Sequence, residues 1–180
     1  MRILAIGAHP DDVEFLCGGT MAKYARNGHK VTVATMTNGD KGHLRIPPEE
    51  LGKIRLEEAR RGASVLGADH MWAGFRDAEV FHDRAAVMNV VEVIRRVKAD
   101  VVFTMSPQDY HPDHANTGTV VVEAVFDAGV PLIQTESSAH TPKKVFHCET
   151  MFGIEFQPDL WVDISDLMDV KLRSLEEHKS

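Results

Sequence analysis

Two periods alternate along this chain, and that alternation limits its fold more than any other feature. Apolar or β-branched runs of strand length recur at residues 2–8, 30–37, 71–75 and 100–105, and helical spacing returns between them. Val87, Val90, Val91, Ile94 and Val97 make one clean 3.6-residue stripe, and the nearly continuous run Val101-Val102-Phe103-Thr104-Met105 that follows reads as a strand buried on both faces. Units of this kind imply a mainly parallel, doubly wound sheet with right-handed crossovers. The expected fold is a Rossmann-like three-layer α/β sandwich, one domain over residues 1–180, a length that suits a single core.

Local signals set the expected boundaries. Gly18-Gly19-Thr20 opens a helix that stops at Gly28, and Pro47-Pro48-Glu49-Glu50 starts another that closes at Gly67. A loop from Ser106 to Ala115 precedes a helix capped by Asn116 or Thr117 and ending near Gly129. Residues 143–148 and 160–164 read as two further strands. Ser165 or Asp166 then caps a last helix that runs to the end of the chain.

Lys plus Arg number 20 against 27 for Asp plus Glu, a net charge of −7 that argues against a phosphate-backbone binder, so no nucleic acid is expected as a partner. The N-terminal apolar run is cut off by His9-Pro10-Asp11-Asp12, which makes it a strand rather than a leader peptide. No stretch approaches the roughly 18 to 20 apolar residues of a membrane span. Two distant cysteines, Cys17 and Cys148, make no disulfide framework and suit a reducing cytoplasm. Cys17 lies near the turn after the first strand, where a redox role competes with that of a small buried thiol.

Two clusters carry chemistry: His9-Pro10-Asp11-Asp12 after the first strand and His111-Pro112-Asp113-His114 after the fourth. Each alone is ordinary turn chemistry. In a doubly wound sheet ordered 3-2-1-4-5, however, the first and fourth strands are neighbours, and their C-terminal ends flank the switch point where ligands bind. Imidazole and carboxylate donors from both clusters then face one crevice and suit one divalent cation. A dinucleotide site fits poorly, because a proline and two acids stand where glycines should admit a pyrophosphate.

Gly7-Ala8-His9-Pro10-Asp11-Asp12, Glu14, Gly18-Gly19-Thr20 and Thr37-Asn38-Gly39-Asp40-Lys41-Gly42 resemble the N-terminal half of the PIG-L/LmbE family of zinc-dependent N-acetyl-sugar deacetylases. Arg55-x-x-Glu58, Asp109-Tyr110-His111-Pro112-Asp113-His114, Phe156-x-Pro158, Val162-Asp163-Ile164-Ser165, Lys171 and His178 follow in that family's order. The resemblance implies an LmbE-like fold and hydrolysis of an N-acetyl group from an N-acetylglucosamine-type sugar or conjugate, by a water that the metal activates. It implies His9, Asp12 and His114 as ligands of Zn²⁺ or another divalent transition metal. Asp11 is then the general base, His111 the acid or oxyanion stabiliser, and Asp113 a carboxylate that orients a histidine.

Arg55, Asp77 and Tyr110 are candidates for substrate contact, although Arg55 and Glu58 at i and i+3 also suit a solvated ion pair. Assembly into a homo-oligomer is expected by analogy. Family members usually run on past the point matching Ser180, so a C-terminal wall of the pocket is expected to be missing or to come from a neighbouring subunit. The rival readings are a metal-binding module without catalysis, which would not use Asp11, and a nucleotide-binding α/β protein.

Overall fold

The computed structural model describes residues 1–180, apart from the side chain of Met151. Five parallel strands, β1 (Arg2–Gly7), β2 (Lys30–Thr37), β3 (Asp69–Phe75), β4 (Val101–Thr104) and β5 (Lys144–His147), form one sheet in the order β3-β2-β1-β4-β5. The helices are α1 (Asp12–Arg26), α2 (Pro48–Val65), α3 (Arg84–Val97), α4 (Pro112–Ala128) and α5 (Met168–Leu175).

Strand pleating divides the core in two. Leu4 and Ile6 of β1 point to the layer that holds Val87, Val90, Val91 and Ile94 of α3 with Val120, Val121 and Ala124 of α4. Ile3 and Ala5 point to the other, with Met21 of α1, Ala63 of α2 and Leu167. Because β1 is covered on both faces, its sequence is an unbroken apolar run. Each fully buried Val or Ile of the α3 stripe contributes about 1.5–3 kcal/mol, which makes the stripe the main reason α3 docks. The far end of α4 is closed by Arg95. Its buried guanidinium donates to the carbonyls of Asp127, Ala128, Val130 and Ile133 at 2.7–3.3 Å and to Thr135 Oγ1 at 3.0 Å.

Several sequence expectations are corrected. The first helix begins at Asp12, not Gly18; Phe15 N–H donates to Asp11 O at 2.9 Å, so the turn passes straight into helix. The break read at Gly18 survives as a kink at Cys17 (φ −136°, ψ 16°). The fourth helix begins at Pro112 rather than after a loop to Ala115. Its N-cap is His111, whose Nδ1 accepts from Asp113 N–H at 3.2 Å, and the proline occupies the first turn, where its missing donor costs nothing.

Residues 160–164 form no strand. Lys23 Nζ donates to Asp163 O at 2.6 Å, and Ile164 packs on Gly19 so closely that a Cβ there would meet Ile164 Cδ1 at 2.6 Å. The segment is therefore tied to α1. The last helix is preceded by a 3₁₀ turn over Ser165–Leu167, has no side-chain cap and ends at Leu175. Residues 179–180 then turn back onto the buried Glu58. No helix among the described residues is long and apolar enough to cross a membrane.

Candidate active site and metal centre

The paired strands β1 and β4 end side by side, and both signature clusters leave from those ends. After Gly7 the chain turns sharply enough for His9 N–H to donate to Asp12 Oδ2 at 2.7 Å. Asp11 takes a left-handed conformation there (φ 103°), a strained choice for a non-glycine residue and one that recurs at functional sites.

Asp12 is the centre of the cluster. Its carboxylate lies 3.4 Å from His9 Nδ1 and 3.4 Å from His114 Nε2, so one acid spans segments from opposite halves of the chain. Ligand atoms of His9, Asp12 and His114 all lie within 4.8 Å of one another. His9, His111 and Asp113 satisfy the same criterion.

The opposite nitrogens of the two histidines also face carboxylates. His9 Nε2 is 3.1 Å from Asp113 Oδ2 and 3.2 Å from Asp77 Oδ1, and His114 Nδ1 is 3.3 Å from Asp109 Oδ2. A carboxylate only accepts, so Asp113 holds a proton on His9 Nε2 and frees the Nδ1 lone pair, the pattern seen behind metal-ligating histidines, whereas Asp109 approaches His114 as a charge without hydrogen-bond geometry. Asp113 is held in turn by Ala78 N–H at 2.8 Å, and Asp109 by His111 N–H at 2.9 Å.

The electrostatics suit a cation. Burial disfavours a charged His9, but Asp113, Asp12 and Asp77 outweigh it and push the His9 pKa up to about 12. Burial likewise opposes the Asp12 carboxylate, yet His114 and His9 hold it well below the usual range. Two imidazoles and a carboxylate, buried, convergent and in a negative field, fit a divalent transition metal with a position left open.

Asp11 stands outside this ligand set. Its Oδ2 accepts from Arg55 Nη2 at 3.1 Å, and the side chain stays 40% exposed, beside the cluster without belonging to it. Burial and the neighbouring Asp12 charge push its pKa up to about 6, against the opposing pull of Arg55. Arg55 also donates to Pro10 O at 3.1 Å and Gly39 O at 3.2 Å, clamping the turn to the end of β2. The solvated Arg55–Glu58 pair is not what forms: Glu58 is buried and accepts from Lys179 N–H at 3.1 Å and Ser180 Oγ at 2.6 Å.

His111 stacks on His114 with ring centroids 4.6 Å apart and meets His9 edge-on at 5.0 Å. Tyr110 is more exposed, stacked on Phe152 at 6.4 Å. Asp77, expected near a sugar hydroxyl, has one oxygen on His9 and the other accepting from Lys41 N–H at 3.3 Å.

Two contributors escaped the sequence reading. Asp109 stands five residues before His114, a spacing that could have flagged it. The buried Asp40 accepts from Arg76 Nε at 2.7 Å and Asp77 N–H at 3.1 Å, and so sets the loop that delivers Asp77 and Ala78.

Fold and cluster together define a doubly wound α/β protein with a metal-type His/Asp pocket at its switch point. The family model described as PIG-L, GlcNAc-PI de-N-acetylase, matches residues 4–125, and the chain belongs to that family. It is 33% identical over 190 residues to the diacetylchitobiose deacetylase of Thermococcus kodakarensis, covering 99% of this chain and 69% of the relative. It is 30% identical over 227 residues to the 1D-myo-inositol 2-acetamido-2-deoxy-alpha-D-glucopyranoside deacetylase of Actinosynnema mirum, covering 98% of this chain and 79% of the relative. The crystal structure of the 4-carboxy-2-hydroxymuconate hydratase of Pseudomonas putida superposes with a TM-score of 0.89 at 23% identity, over 99% of this chain and 79% of that one. At that identity the likeness speaks for the fold alone, and the fold is compatible with more than one reaction.

Proposed function

We propose that the chain is a metal-dependent N-deacetylase that hydrolyses the acetamido group of an amino sugar or its conjugate. One observation carries the reading: Asp11 lies next to the His9–Asp12–His114 cluster, is not part of it, and is held there by Arg55 Nη2 at 3.1 Å. A carboxylate so placed is ionised at neutral pH and basic enough to accept a proton from water. Both named relatives are deacetylases of acetamido sugars, which supports the substrate class.

His9, Asp12 and His114 would hold the ion. When bound, such an ion supplies Lewis-acid polarisation and makes water acidic near neutral pH. Asp11, oriented by Arg55, takes the proton of the attacking water and, once protonated, hands it to the departing amine. His111 has a different task. Its Nδ1 accepts a backbone N–H, so its proton sits on Nε2 and that N–H can donate to the oxyanion of the tetrahedral intermediate. Protonating Nδ1 would break the cap of α4, which favours oxyanion donor over acid. Asp113 keeps the His9 ring in its working tautomer, and Asp109 adds negative charge behind His114.

We further propose Zn²⁺ as the ion, the cytoplasm as the compartment and a homo-oligomer as the working form. The nitrogen-rich donor set supports the first, the two free thiols the second, and the exposed Leu160 and Trp161 the third. The test is acetate release from a panel of N-acetylated sugars by wild type and Asp11→Asn. The variant is expected to keep its metal and lose turnover by at least about a thousandfold. A wild type that releases acetate from none of the panel, or an equally active variant, overturns the reading.

A further inference from the structure

Cys17 and Cys148 are far apart in the chain and adjacent in the fold. Cys17 is the residue at which α1 leaves helical dihedrals, and Cys148 follows β5 with its N–H donating to Thr104 O at 2.7 Å. Both side chains pack against the same buried cluster. Both line a small cavity behind Asp12, and both line a larger, mostly apolar pocket of about 440 Å³ bounded by Phe103, Leu160 and Trp161. The two side chains thus face the same cavity from α1 and from the end of β5, and each residue is partly open to solvent.

This placement is unused by the hydrolytic cluster. Neither sulfur belongs to either group of convergent ligand atoms. The pocket gives a small disulfide a path to both residues, and Cys17 already sits at the kink where α1 leaves helical dihedrals.

We propose that Cys17 and Cys148 form a reversible redox site that closes to an intrachain disulfide by exchange with a low-molecular-weight disulfide. One protein thiolate attacks the small disulfide, forms a mixed disulfide and expels one small thiolate. The second protein thiolate attacks the protein-side sulfur of that mixed disulfide and expels the other. The two protein thiols lose two electrons in total, the small disulfide gains them, and the two thiol protons end on the released small thiols. The new bond joins α1, five residues beyond Asp12, to the end of β5 and staples the kink in place. Contact with Cys148, together with burial, pushes the Cys17 thiol up, so little thiolate is present at neutral pH. Closure is therefore slow and responds to sustained oxidation rather than to a brief pulse.

The experiment incubates the whole chain with oxidised glutathione at mildly alkaline pH, quenches in acid, denatures, alkylates and maps peptides by mass spectrometry. The two alkylatable thiols per chain are expected to fall to none, with a Cys17–Cys148 cross-linked peptide, and dithiothreitol is expected to restore both. With Cys17→Ser and Cys148→Ser tested side by side, no intrachain cross-link is expected in either, and at least one is expected to stop at a single glutathione adduct. The proposal is overturned if both thiols stay alkylatable or if only mixed or interchain disulfides form. The readout is covalent, so it does not depend on whether the deacetylase reading holds.

Discussion

Arg55 Nη2 lies 3.1 Å from Asp11 Oδ2 and, from the same nitrogen, 3.1 Å from Pro10 O, so one guanidinium sets both the charge and the backbone of the proposed base. Arg55→Met removes a positive charge that lowers the Asp11 pKa. The acid limb of kcat/KM is then expected to move to higher pH, with activity at neutral pH falling about tenfold or more. Arg55→Lys keeps the charge but not the fork and is expected to move the limb less. A higher KM with an unmoved acid limb in Arg55→Met would instead mean that Arg55 only grips substrate.

In the wild type, the base must be ionised to work. The Asp11 pKa is raised from 3.8 to about 6, so activity is expected to be full above that pH and to fall tenfold per unit below it. Metal content measured across the same range separates this titration from acid release of the ion. A limb near the ordinary carboxylate value, with metal retained, contradicts the assignment.

Asp109 and Asp113 touch the ligand histidines on their far sides. Asp109→Asn and Asp113→Asn each remove a negative charge that raises the basicity of a ligand ring, and Asp113→Asn also removes the acceptor on His9 Nε2. Zinc affinity, read by chelator competition, is expected to drop roughly 10- to 100-fold in each. An unchanged affinity in both would leave these carboxylates without the orienting role.

Much of this is legible in the sequence. The meeting of the His9 and His114 clusters followed from strand order, because β1 and β4 must be neighbours in such a sheet. What the sequence could not reveal depended on tertiary partners. Local apolar pattern makes Leu160-Trp161-Val162 look like a strand, yet Lys23 and Gly19 hold that stretch on α1. The reading that Asn116 or Thr117 caps α4 missed that a histidine ring can cap as well, as His111 does. Arg55 was read toward substrate or Glu58, and only the fold reveals Asp11 as its partner.

Arg95 offers a test of stability apart from chemistry. Arg95→Met leaves the carbonyls of Asp127, Ala128, Val130 and Ile133 without this donor inside the protein. At about 1–3 kcal/mol for each buried orphan, partly relieved by water, the loss is expected to be at least ~3 kcal/mol. Urea unfolding measures it, and a change under ~1 kcal/mol would show that the 127–135 turn is held by other contacts.

The most direct measurement is metal stoichiometry by elemental analysis after zinc loading and desalting, for wild type and for Asp12→Ala. One ion per chain in the wild type and a near-complete loss in the variant is the expected result. No bound ion in the wild type, or an undiminished ion in Asp12→Ala, would contradict the proposal that His9, Asp12 and His114 close around one cation.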